Sequence, residues 1–271
     1  MPELPEVEVC RLGISPHIID QVVADVVVRI AQLRWPIPDE VKLLTGQKVE
    51  QVERRAKYLL IKFSTGTLVL HLGMSGTIRI IDSSTPIVKH DHFDLIFGHN
   101  KTLRLNDPRR FGAVLWLDKH IDEQGLLDKM GPEPLSDEFS SGYLFAKANK
   151  RKVPIKSFIM NNHIVVGVGN IYANEALFLS GILPNSLVAN IAEERLDQLT
   201  DIIKKVLSDA IKQGGTTLKD FTQVDGRPGY FAQSLFVYGR AGEKCLHCQT
   251  ILEEIRQSNR SSVFCPSCQS N

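Results

Sequence analysis

Gly131-Pro132-Glu133-Pro134-Leu135-Ser136 divides this chain into two kinds of sequence. Two prolines and a glycine in so short a stretch disrupt both helix and strand, so the hexapeptide reads as a linker. Upstream, from about residue 22 to 118, runs rich in Val, Ile, Leu and aromatic residues alternate with turn signals such as Ser64-Thr65-Gly66 and Gly98-His99-Asn100. Six strands are expected, at Val22–Ile30, Val49–Phe63, Thr67–Ile81, His92–Phe97, Thr102–Leu105 and Gly112–Leu117. Strands at such short intervals predict an antiparallel sandwich or barrel. Downstream the pattern becomes helical. Ile191–Gln213 is the clearest helix, with Leu196, Leu199, Ile203, Val206 and Ala210 on one face. Asn190 and Glu193 read as its capping box, and Gly214-Gly215 as its stop. Residues 216–236 carry Gly226, Pro228 and Gly229 and read as a mobile loop. The expected class is therefore α+β, with the sandwich first and helices after it.

Bulk properties narrow the setting. At 271 residues, 43% hydrophobic and 23% charged, the chain has ordinary globular composition and length enough for two domains. No apolar run reaches the roughly 18 residues of a membrane span. The N-terminus lacks a basic region followed by an apolar one, so no secretory signal is expected, and a cytosolic protein is. Five cysteines in that compartment argue against disulfides. A formal net charge of +1 means that any nucleic-acid surface must come from local clusters. Three exist: Lys147, Lys150, Arg151, Lys152 and Lys156; then Arg54, Arg55 and Lys57; then Arg109-Arg110. Each alone is compatible with a solvated face. Together they suit a phosphate-binding surface.

Four cysteines fall in two close pairs, Cys245-x2-Cys248 and Cys265-x2-Cys268, sixteen residues apart. Each pair supplies two thiolates from one tight knuckle, and two knuckles complete a tetrahedral zinc site. Expected strands at Ile251–Ile255 and Ser262–Phe264 fit a zinc ribbon. With all four positions taken by sulfur, the zinc is expected to be structural. A redox role for the pairs is the alternative. His247 is expected to be a solvated bystander, and Cys10 a small apolar filler on the first helix.

That helix is expected over residues 3–12, and Pro2 stands just before it. If Met1 is trimmed, Pro2 offers a secondary α-amine with a pKa near 8, far more nucleophilic at neutral pH than a Lys amine at about 10.4. Such an amine can form an iminium with an aldehyde-like carbon, and Glu3 beside it can serve as an acid. The competing reading is purely structural: Pro2 and Pro5 stiffen the helix start while Glu3 and Glu6 complement its dipole. Gly167-Val168-Gly169-Asn170, at a helix start, lets backbone N–H groups approach a phosphate, or simply marks a tight turn. Met74, in His71-Leu72-Gly73-Met74-Ser75-Gly76, is either a core methionine or a wedge for a base stack. Asp107-Pro108-Arg109-Arg110-Phe111-Gly112 sets a rigid turn before a cation and an aromatic, a pair able to bond a base edge and to stack.

Taken in order, these motifs resemble the bacterial formamidopyrimidine-DNA glycosylase family, the 8-oxoguanine DNA glycosylases. The likeness also covers Lys89-His90-Asp91-His92, Gly214-Gly215-Thr216-Thr217 and Val237-Tyr238-Gly239-Arg240, and it runs the whole length. It implies an N-terminal β-sandwich flanked by helices, then a helix–two-turn–helix domain and a zinc finger. The boundaries expected are 1–131, a linker with the first helix of the second domain at 132–150, then 151–236 and 237–271. The resemblance implies Pro2 as nucleophile at C1′ and Glu3 as proton donor. It also implies Lys57 as the donor for β-elimination and Arg260 as the arginine of δ-elimination. Met74, Arg109 and Phe111 would fill the space of a flipped nucleotide. His90, Arg109 and Arg151 match DNA-binding positions, Lys156 and Asn170 would hold phosphates, and residues near 217–232 would cover the damaged base. Departures are local: Val9 and Cys10, Ser157 after Lys156, and Asn161-Asn162. The partner implied is duplex DNA with oxidised purines or abasic sites, met by a monomer in the nucleoid. Two alternatives stand beside this one. The first is an endonuclease VIII-type enzyme for oxidised pyrimidines, disfavoured by Leu4 and Val7. The second is a non-catalytic zinc-ribbon DNA-binding protein, which would leave Pro2 and Glu3 idle.

Overall fold

A computed structural model describes residues 2–118, 127–215 and 235–271. The expected loop at 216–236, and the lesion cover at 217–232 within it, therefore lie outside the described residues except for 235 and 236. The chain divides into two compact units, Met1–Asp128 with Gln213–Ala232, and Lys129–Lys212 with Gln233–Asn271.

The first unit is an antiparallel sandwich of two four-stranded sheets. One sheet contains β1 (Val23–Val28), β6 (Asp91–Phe97), β7 (Lys101–Asn106) and β5 (Thr77–Asp82), in that order. The other contains β2 (Gln51–Arg55), β3 (Tyr58–Phe63), β4 (Gly66–His71) and β8 (Ala113–Asp118). Leu59, Ile61, Leu68 and Leu70 from the second sheet share one apolar core with Phe93, Leu95, Leu103 and Leu105 from the first. Burying each such side chain stabilises by roughly 1.5–3 kcal/mol, so the alternation sets the register.

Among the described residues there are eight strands here, not six. The expected Val49–Phe63 strand folds back on itself, with Arg55 paired to Tyr58 across a two-residue turn at Ala56-Lys57. Ala56 takes φ 54° there. Apolar residues on both sides of that turn hide it from the pattern. The expected Thr67–Ile81 strand breaks into β4 and β5 at residues 72–76.

The first helix is also longer than expected: α1 runs Leu4–Ile18, through Gly13 and Pro16. Val7, Cys10, Ile14 and Ile18 form a buried stripe along it, and that burial outweighs the two weak helix formers. Cys10 behaves as the filler expected: burial pushes its thiol up to about 12, with the Glu6 carboxylate adding to the effect.

The second unit holds α2 (Ser141–Ala148), α3 (Ile155–Ile159), α4 (Asn170–Leu179) and α5 (Glu193–Lys212). Helix α5 packs on α2 and α4 and buries Leu196, Leu199, Ile203, Val206 and Ala210, the face expected. Its start differs. Asn190 ends a short 3-10 turn, and the carbonyl of Ala192 takes the N–H of Leu196 at 3.2 Å, so the capping box expected at Asn190 and Glu193 does not form. The unit ends in a hairpin of β9 (Glu253–Gln257), two residues later than expected, and β10 (Arg260–Phe264), which contains the expected strand and starts two residues before it. Ser258 and Asn259 turn it with φ 49° and 61°, the left-handed pair of a type I′ turn. Among the described residues no helix is long and apolar enough to cross a membrane.

Candidate active site and metal centre

Glu3 and Glu6 close a capping box at the head of α1, with the Glu3 N–H donating to Glu6 Oε2 at 2.8 Å. Pro2, Glu3 and Glu6 are all buried. Gly215 comes so close that a side chain there would meet Glu6 Oε1 at 3.1 Å. The box thus fixes the backbone direction at Pro2 and Glu3.

Lys57 sits at the tip of the β2–β3 hairpin. Glu8 ties that hairpin to α1, accepting from Arg54 Nε at 2.9 Å and from Arg11 Nη2 at 2.6 Å. Burial pushes the Glu8 carboxyl up, but the Arg11 and Arg54 guanidiniums outweigh it and hold the group below its ordinary value. Across the sheet Tyr58 pairs with His71, their rings 4.9 Å apart. Burial, with the charges of Lys57 and Arg34 nearby, lowers His71 to about 4. The imidazole is therefore neutral at pH 7, and its Nδ1 accepts the Gly73 N–H at 3.0 Å. The turn that carries Met74 starts from this bond.

Met74, Arg109 and Phe111 are brought together. The Arg109 guanidinium lies 5.1 Å from the Phe111 ring centre, and Phe111 is 46% exposed. Met74 is half-buried at the turn between β4 and β5. His90 lies on the loop before β6 with φ 75°, its ring 6.0 Å from that of His92.

The remaining expected residues belong to the second unit. Asn170 is the first residue of α4, after Gly169 as N-cap, and its buried Oδ1 has no hydrogen-bond partner. Lys156 is 2% exposed, and its Nζ donates to the Ser261 carbonyl and the Ser262 hydroxyl, each at 2.6 Å. It therefore grips the β10 strand rather than standing in solvent. Exposed Arg260 lines, with Lys156, Ser157 and Met160, a pocket of about 210 Å³. Arg151 is exposed and lies over the Phe158 ring at 5.8 Å.

The four thiols of Cys245, Cys248, Cys265 and Cys268 lie within 4.8 Å of one another. Two sulfur pairs stand 3.9 and 3.4 Å apart, close to the edge of about 3.8 Å that a tetrahedron with Zn–S bonds of about 2.3 Å requires. The donor set fits one structural Zn2+. His247 is exposed and lies outside the thiol cluster, as expected. Its ring packs 4.9 Å from Phe178 and 5.2 Å from Phe236.

Sequence reasoning passed over Asn174 and Glu175. The Glu175 carboxylate accepts the N–H groups of Phe236, Val237 and Tyr238 at 2.8, 3.0 and 2.8 Å. Asn174 Oδ1 takes the Val263 N–H at 2.8 Å. Burial raises the Glu175 carboxyl against the opposing pull of those donors. Two adjacent polar residues within the otherwise apolar Ile171–Phe178 stretch were the available signal, since a buried polar group requires a partner.

Three family descriptions match the chain in order: the formamidopyrimidine-DNA glycosylase N-terminal domain at residues 1–114, the H2TH domain of the same enzymes at 130–222, and the zinc finger found in FPG and IleRS at 242–271. These define the class, a DNA-binding repair glycosylase with a zinc finger. The chain belongs to the formamidopyrimidine-DNA glycosylase family. The formamidopyrimidine-DNA glycosylase of Colwellia psychrerythraea is 74% identical over 269 residues, 99% of each chain. That of Alteromonas mediterranea is 59% identical over 271 residues, covering 99% of this chain and all of the other. Among solved structures, a Lactococcus lactis FPG mutant in complex with Fapy-dG DNA is 31% identical over the full length of both chains, with a TM-score of 0.92. MutM in complex with carbocyclic 8-oxo-G DNA gives the same identity, coverage and score.

Proposed function

We propose that this enzyme excises oxidised purines, 8-oxoguanine and formamidopyrimidines, from duplex DNA and then cuts the abasic strand by successive β- and δ-eliminations. The observation that carries this reading is full-length likeness to enzymes held on such lesions and on abasic-site DNA. The buried, capped mount of Pro2 and Glu3 supplies its chemistry.

After removal of Met1 the Pro2 nitrogen attacks C1′ of the extruded nucleotide. The glycosidic bond breaks and its electron pair leaves with the base. Glu3 delivers a proton to the sugar ring oxygen, the ring opens, and an iminium joins Pro2 to C1′. The iminium acidifies the hydrogens on C2′, so the 3′ phosphate leaves first and the 5′ phosphate second. Lys57 serves the first elimination and Arg260 the second. Met74, Arg109 and Phe111 occupy the vacated stack, which offsets part of the cost of extrusion. His90, Arg151, Lys156 and Asn170 hold the strand, and the zinc hairpin presents Arg260. One copy acting on one nucleotide suffices, so the working form is a monomer on chromosomal DNA.

Borohydride reduction tests this directly. Wild-type protein mixed with an 8-oxoguanine duplex is expected to give a covalent adduct, lost in Pro2→Gly on the order of 10³-fold or more. A wild type that cannot be trapped would sink the lyase reading. A clear preference for thymine glycol over 8-oxoguanine would transfer the enzyme to the oxidised-pyrimidine type.

A further inference from the structure

The Asp107 carboxylate is completely buried and sits between two turns that are distant in sequence. Its Oδ1 accepts the Ser75 hydroxyl at 3.1 Å and the Arg109 N–H at 3.3 Å. Its Oδ2 accepts the Gly112 N–H at 2.7 Å. The Asp107 main chain reaches a third segment: its N–H donates to the His90 carbonyl at 3.0 Å, and its carbonyl meets His92 Nε2 at 3.0 Å. One residue thus touches the turn of Met74, the turn of Arg109 and Phe111, and the loop of His90.

Backbone packing completes the lock. Gly73, at φ 62°, lies so close to the other turn that a Cβ would fall 2.3 Å from the Phe111 carbonyl carbon. A Cβ on Gly112 would fall 2.7 Å from the His71 carbonyl oxygen. The two turns interlock as well as share a carboxylate.

We propose that Asp107 is the positioning residue that makes the Met74 turn and the Arg109–Phe111 turn one preassembled insert. The enzyme then enters the base stack with both turns already in register. A preassembled insert avoids the entropy cost of ordering two loops at the moment of extrusion. Asp107 touches no reacting atom. The role rests on the glycosylase reading above, and it predicts damage confined to substrates that have a stack to fill.

The test uses Asp107→Asn and Ser75→Ala in the full-length holoenzyme. Asp107→Asn keeps the shape but sets an amide NH2 against the Gly112 N–H. Ser75→Ala removes only the bond between the turns. Asp107→Asn is expected to slow single-turnover excision from an 8-oxoguanine duplex at least tenfold. Borohydride trapping on an abasic site in single-stranded DNA, which has no opposing stack, should stay within twofold of wild type. Duplex excision at the wild-type rate would overturn the proposal. So would an equal loss on both substrates. If Asp107→Asn does not fold, Ser75→Ala carries the test, with about a threefold loss on the duplex alone, and an unchanged duplex rate counts against the proposal. If the wild type itself fails to trap, the Pro2 chemistry fails and not this role. Fluorescence of 2-aminopurine opposite a tetrahydrofuran abasic analogue then decides. The wild type should brighten it on binding and Asp107→Asn should not, while equal signals would contradict the role.

Discussion

Asp107 and Glu175 are both buried carboxylates that accept backbone N–H groups, but their partners come from different distances along the chain. Asp107 takes N–H groups two and five residues away and reaches one distant hydroxyl, that of Ser75. Glu175 takes three N–H groups, all 61 to 63 residues away. The first fixes the shape of an exposed turn at 108–111 and of the mostly buried Met74 turn packed against it. The second holds the approach to the finger, Phe236–Tyr238, whose own interior depends on four sulfurs and a metal. One region is organised locally and tolerates exposure. The other needs long-range anchors because a finger this small cannot bury enough apolar surface by itself.

Metal removal should separate the two regions most strongly. Chelation of the zinc is expected to abolish DNA binding, because binding of a structural zinc contributes on the order of 10 kcal/mol to folding of its finger. Pro2 should remain chemically intact. Full duplex binding after verified zinc loss, measured by fluorescence anisotropy, would break the comparison. Next, Glu175→Ala removes the carboxylate that accepts one buried and two part-buried N–H groups, at a cost of about 4 kcal/mol. The loss should be visible as a lowered urea midpoint, with Glu175→Gln in between.

On the other side, Gly73→Ala forces a methyl into the Phe111 backbone and places a side chain at positive φ, costing about 3 kcal/mol. Its larger effect should be on duplex excision. A smaller effect again comes from pH. His71 is lowered to about 4 in the fold from an ordinary 6.5. The unfolded chain thus binds the extra proton more readily, and stability is fully present above pH 6.5 and declines as pH falls toward 4. Between pH 7 and 5 the decline should be about 2 kcal/mol. His71→Asn, which retains an acceptor for Gly73, should flatten that limb in urea titrations at each pH. An unchanged slope would contradict the lowered pKa of His71.

The same contrast explains what the sequence made legible. The cysteine spacing, the strand-rich stretch ended by Gly131-Pro132-Glu133-Pro134, and the apolar face of α5 depend on local pattern and emerged as expected. Asp107 stood in plain view within Asp-Pro-Arg-Arg, where an Asp side chain commonly bonds the backbone two residues on. Its bond to Ser75 and its grip on the His90 loop depend on the pairing of β5, β6 and β7, which no local pattern encodes. Glu175 and Asn174 were invisible for a stronger form of the same reason. Lys156 was expected to hold phosphate, and the structure shows it first holding Ser261 and Ser262. The continuation of α1 to Ile18 was obscured because Gly13 and Pro16 are read as helix breakers, while the buried stripe that outweighs them needs the sandwich beneath it.

Everything proposed for the reaction turns on the Pro2 nitrogen. Wild-type protein can be reduced with borohydride on an 8-oxoguanine duplex, digested, and the sugar remnant located by tandem mass spectrometry. The remnant is expected on Pro2 of a chain lacking Met1. A remnant on Lys57 or any other lysine, or none at all, would contradict it.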